Sequence, residues 1–186
     1  TRSGAEAISG DGVVCGWSQV VVADSQGNPA RQSRAVVWRA TQNGSETQFL
    51  GPFELTKMGA SPDGIDFSAA HDVSDQYANG VITIVGESNL MDVEWTVTHD
   101  GETGLSQESA TVLSGSGSAN GTSNNGIVCG RGNLDPSTLT FDPAAVWIAG
   151  IGFHLDEGRF NYVATPNYVN VQGVFVGSSG GISATA

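Results

Sequence analysis

Four aspartates stand close together in two short phrases, Asp63 and Asp66 in SPDGID and Asp72 and Asp75 in HDVSD. A hard cation wants several oxygen ligands on a flexible loop, so calcium is the metal these residue types would suit. Neither phrase completes a D-x-D-x-D-G loop, and Asp is favoured in turns for conformational reasons alone. His71-Asp72 and His99-Asp100 carry the residue types of a base and its orienting carboxylate. Neighbours on a strand point to opposite faces, however, so the expectation is loop positions with turn hydrogen bonds. His71, His99 and His154 are spread along the chain with no cysteine beside them, which argues against zinc. The sequence contains no P-loop, dinucleotide-binding glycine motif, H-E-x-x-H or C-x-x-C.

Two further residue classes could act on a partner. Trp38, Trp95 and Trp147 recur behind similar apolar alternations, in RAVVW, DVEW and AAVW, which predicts core or inter-unit packing. Trp17 follows a glycine where other repeats carry Glu87, Arg131 and Ser178, so it is the aromatic expected to face solvent and a ligand. Cys15 and Cys129 are the only cysteines, in the near-identical phrases GDGVVCGWS and NNGIVCGRG. Their shared pleat position fits small core residues, and a Cys15–Cys129 disulfide is the alternative.

The bulk composition narrows the partners. Across 186 residues there are 7 Lys and Arg against 19 Asp and Glu, for a net charge of -12. Such a surface repels nucleic acid and anionic membranes. No apolar run is long enough for a spanning helix. The 26 glycines and the single lysine, Lys57, lean toward an extracellular, cell-surface or virus-particle setting.

The elements that position these residues read as strands. Short β-rich runs, Val13 to Val22 and Ala35 to Ala40 among them, alternate with turn phrases such as DSQGNPA and QNGS. Helical periodicity is missing. The pattern predicts one all-β domain over 1–186, an antiparallel meander of about four repeat units near 5–51, 67–113, 118–160 and 165–186. A small β-propeller is the favoured architecture, with a β-sandwich or jelly roll as the alternative. The units align on paired glycines: Gly12 and Gly16, Gly80 and Gly86, Gly126 and Gly130, Gly173 and Gly177.

AEAISGDGVVCGWS followed by RAVVW resembles the bacterial extracellular repeats known as the HAF family. That resemblance implies propeller-like blades and no enzymatic activity. The first functional expectation is therefore a non-catalytic structural or assembly module that self-associates or joins neighbouring structural proteins. A monomeric glycan-recognition domain using Trp17 is the second expectation, and a hydrolase the third.

Overall fold

The turn phrases break the apolar alternation into antiparallel hairpins. A computed structural model describes residues 2–61, 64–75, 80–100, 104–113, 117–132, 134–135, 140–141, 144–148, 151–154, 162–169 and 175–181. Every regular element among them is a strand. The first sheet runs β1 (Ser3–Ile8), β2 (Val13–Ala23), β3 (Pro29–Asn43) and β4 (Glu46–Glu54) in that order. The second runs β5 (Ser68–Val73), β6 (Val81–Ser88), β7 (Met91–Asp100) and β8 (Gly104–Val112). The third begins with β9 (Gly117–Thr122) and β10 (Ile127–Gly132). A small ladder of β11 (Leu134–Asp135) and β12 (Thr140–Phe141) follows, and β13 (Ala144–Ile148) and β14 (Ile151–His154) complete the sheet. A ribbon of β15 (Tyr162–Val169) and β16 (Phe175–Gly181) comes last. The chain is thus an all-β antiparallel meander.

One local device recurs in each sheet. The first strand leaves one residue unpaired against the second: Glu6 in β1, His71 in β5, Asn120 in β9 and Asn167 in β15. This bulge brings the first strand's backbone over a glycine of the second strand. A Cβ on Gly16 or Gly86 would lie 2.0 Å from the carbonyl oxygen of Gly4 or Ala69, and one on Gly130 would lie 2.3 Å from that of Ser118. No side chain fits there, so the repeated phrase must keep its glycine. The paired glycines at the turns serve differently: Gly12, Gly80 and Gly126 have φ of 80, 81 and 73°. L side chains rarely adopt that conformation. A serine closes each of these turns. Ser9 Oγ accepts from Val13 N at 3.1 Å, Ser74 Oγ from Thr83 N at 2.9 Å, and Ser123 Oγ from Ile127 N at 3.2 Å.

The sheets then pack in series. β5 lies against β1, β2 and β3, β9 against β5, β6 and β7, and β15 against β9, β10 and β13. Register assigns the faces. Val14, Ile84 and Val128 are equivalent, and each pairs with a tryptophan: Trp38, Trp95 or Trp147. Their neighbours Cys15, Val85 and Cys129 point the opposite way. The Cys15 face of the first sheet meets the Ile84–Trp95 face of the second in one core cluster. Val85 of the second sheet meets Val128 and Trp147 of the third in another. The segment after β4 closes over the first core, where Leu55 is buried and Thr56 O accepts from Trp95 Nε1 at 2.7 Å.

The strands expected from sequence miss β14, the β11–β12 ladder, and β1, β5 and β9. The Ala, Gly, Ser, Asn and Asp of those last three have weak strand propensity. They pair nonetheless, because only small residues permit the close approach at the bulge.

Candidate functional site

Two surfaces stand out, both involving the first sheet. The face carrying Val14 and Trp38 is equivalent to the covered faces of the next two sheets, but no described sheet lies on it. A groove of about 540 Å3 runs along β1 there, floored by Val14 and Trp38 and bordered by Ile8 and Phe49. Ile8 is 65% and Phe49 59% exposed, whereas Trp95 and Trp147 are almost wholly buried. Trp38 is half-buried.

The second surface is a cleft of about 390 Å3 where β2 and β3 meet β5. Trp17 and Phe67 give it two aromatic walls, and Glu6, Gln19, Arg31 and His71 supply polar groups. The bulge positions two of these residues. Glu6 is the unpaired residue of β1, and its Oε1 accepts from Trp17 Nε1 at 3.0 Å. His71 is the unpaired residue of β5, with its Nε2 3.5 Å from Glu87 Oε1. Trp17 and Glu87 each follow the repeat glycine, so the two pairs are one structural position with different chemistry. The indole sits on Gly4, where a Cβ would come within 2.8 Å of the ring. Gln19 Oε1 and His71 Nε2 are buried without hydrogen-bond partners. The separation from Glu87 is too long for His71 to count as bonded.

Of the four aspartates considered for calcium, three lie among the described residues. Asp63 lies outside the described residues. Asp66 pairs with Lys57 and accepts from Ser61 N and from Asn89 Nδ2, and these contacts, Lys57 first, hold its carboxyl below the ordinary carboxylate range. Asp72 accepts from Thr122 N at 2.8 Å, and burial raises its pKa. Asp75 ties three turns together. It accepts from Gly10 N at 2.5 Å and from Asn124 Nδ2 at 3.0 Å, and those bonds lower its pKa, Asn124 contributing most. Each carboxylate is engaged by its own protein donors. Among the described residues no three His, Cys, Asp or Glu side chains converge as a metal needs.

Cys15 and Cys129 are both free and buried, in separate clusters on the first and third sheets. The second sheet lies between those two, so their shared pleat position corresponds to equivalence rather than to the alternative of a disulfide. Burial pushes the Cys15 thiol far up and that of Cys129 up to about 12, with Asp72 adding to both. Of the two His-Asp phrases, both fall in strands, β5 and β7, rather than in the loops expected of them. Burial lowers the pKa of His99, and Arg39 adds to that effect.

Asp92 is the functional-looking residue that sequence reasoning passed over. It is completely buried opposite Glu87, and neither carboxylate oxygen has a hydrogen-bond partner. Its pKa rises to about 7, first through burial and then through Glu87. The signal was visible, since the same register position holds Ala35 in the first sheet and Ala144 in the third.

Comparison with family models, curated proteins and solved structures gives no match.

Proposed function

We propose that this chain is a non-catalytic structural or assembly module, a small propeller-like array of blades whose first sheet docks onto a second copy. One observation carries this reading, the open Val14–Trp38 face on β1 to β4. Ile84 with Trp95, and Val128 with Trp147, occupy the same register positions and are covered by the preceding sheet. What covers them is the opposite face of a sheet of the same plan, the face of Cys15 and Val85. The chemistry that fits the open face is therefore another sheet of this repeat, and a second copy supplies one. Burying an aromatic or large aliphatic side chain contributes roughly 1.5–3 kcal/mol, so Ile8, Phe49 and Trp38 would each favour association, against its entropic cost of about 4–15 kcal/mol. An exposed groove of this kind on a single chain marks a contact surface.

The acidic, glycine-rich composition with one lysine suits an extracellular filament, a cell surface or a virus particle. The HAF-like repeat phrase points the same way. Light scattering after size exclusion, at a series of concentrations, tests the proposal. The wild-type chain should gain mass with concentration, and Phe49→Glu, at an exposed position, should hold it at 19.1 kDa. A wild-type monomer at every concentration would sink the reading.

A further inference from the structure

We propose that the cleft between β2, β3 and β5 is a binding site for a neutral saccharide, with Trp17 as its aromatic wall. The assembly face lies on the other side of the first sheet, and the two surfaces share Glu6 in their linings.

The first argument is architectural. The residue after the repeat glycine is Trp17 in the first sheet, Glu87 in the second and Arg131 in the third. The fold accepts the Glu87 carboxylate at that position, so packing does not require a tryptophan there. Its bulge partner varies in step, Glu6 in the first sheet and His71 in the second. Variation in side chains on a fixed backbone device is how a scaffold acquires a site without changing its fold.

The second argument is the cleft's chemistry. Its volume of about 390 Å3 falls within the span of small-ligand clefts, roughly 300–1,000 Å3. Trp17 is half-buried and Phe67 is 42% exposed, so both rings line an opening rather than a core. Aromatic faces of this kind take the C–H faces of a pyranose ring. The same lining holds residues of both donor and acceptor type: Glu6, Gln19, Ser33, Arg31 and His71. A sugar hydroxyl both donates and accepts, so a row of hydroxyls matches such a mixed lining better than a carboxylate or an amine does.

The third argument sets the charge of the ligand. Lys57, Ser61 and Asn89 engage the Asp66 carboxylate, so the formal charges left in the lining are those of Glu6 and Arg31, one of each sign. A chain of net charge -12 also repels polyanions such as sulfated glycans. A balanced lining on an acidic chain thus favours a neutral sugar over an anionic one.

The test is calorimetric titration of the full chain with cellobiose, maltose, mannobiose and chitobiose, and with a heparin disaccharide as the anionic probe. In parallel, the indole N–H signals of the four tryptophans are followed by NMR and assigned with Trp17→Phe. At least one neutral disaccharide should bind saturably and shift the Trp17 signal. Trp17→Ala should weaken it roughly tenfold or more, while Trp17→Phe, which keeps a ring, should stay within a few-fold of wild type. Gln19→Ala should weaken it as well, and melting curves for all three variants should show the fold intact. Binding that ignores Trp17→Ala and Gln19→Ala would overturn the assignment. So would preference for the heparin disaccharide, or no saturable binding of any neutral probe.

Discussion

Trp38 and Trp95 hold the same register position on successive sheets, yet one lies half-exposed in a groove and the other has no exposed surface at all. Both follow the same apolar alternation, and both pair with an aliphatic residue of the second strand, Val14 or Ile84. The difference is what packs on them among the described residues. Trp95 receives the face of the first sheet and the closing segment at Thr56, whereas the first sheet's own face receives nothing among the described residues. Burial in this molecule is thus a property of neighbours in the stack and not of the repeat unit alone. A unit that cannot bury both its faces by itself is the physical basis of repeat architectures.

The largest expected effect falls on what the two sheets share. Gly16→Ala and Gly86→Ala each drive a Cβ to 2.0 Å from a backbone carbonyl, which no side-chain rotation relieves. Each should lower stability by more than about 4 kcal/mol in urea denaturation, and by similar amounts. Gly10→Ala, whose added Cβ meets only the movable Asp75 carboxyl, serves as the control and should cost little. A tolerated Gly86→Ala would break the claim that the bulge is one device used repeatedly.

The tryptophans come next. Trp95→Ala should cost about 3–5 kcal/mol, because it empties a buried site and leaves Thr56 O without its donor. Trp38→Ala should cost the monomer less than half of that and instead abolish concentration-dependent association. Equal losses in denaturant would mean that the groove is not open in solution.

A smaller effect separates the sheets by pH. Asp92 replaces the alanine of the other two sheets, and its folded pKa of about 7 lies above the ordinary value of 3.8. Below pH 4 the group is protonated in both states and contributes no pH dependence. From about pH 4 to 7 only the unfolded state releases its proton, so stability should fall as pH rises, by at most about 1.4 kcal/mol per unit. Glu94 and Asp72, raised by burial, act in the same direction. Asp24, Asp66 and Asp75, lowered by their hydrogen bonds, act oppositely, losing stability on acidification below their ordinary value of 3.8. Asp92→Ala should remove most of the decline and stabilise the chain at pH 8 by roughly 2 kcal/mol or more. Melting curves at pH 5 and pH 8 for both proteins decide it. An unchanged difference between the two pH values would assign the decline to other groups.

Much of the fold was legible because its signals are local. Asn-Gly at Gly44 and the positive φ of Gly12, Gly80 and Gly126 mark turns that any reader of the chain can place. The central strands announce themselves through Val and Ile. β1, β5 and β9 do not, since AEAI, AAHDV and SANGT carry no strand propensity and are strands only because a neighbour lies within hydrogen-bonding reach. Trp17 was conspicuous as a departure from its repeat, and so was Asp92, had the alanines at 35 and 144 been compared with it. Gln19, Arg31 and Phe67 gave no such sign. They come to the cleft from three separate segments, and the packing of β5 on β2 and β3 alone brings them together.

By itself, then, the sequence determined the strands' alternation, the turns and the glycines of the repeat, because each depends on the conformational limits of residues close together in the chain. It also determined that Cys15 and Cys129 would be equivalent. The tertiary structure decided which faces are covered, which tryptophan remains open, where the unpaired Asp92 is buried and which side chains share a cleft. Those outcomes depend on distances between sheets, and no pattern within one sheet encodes them.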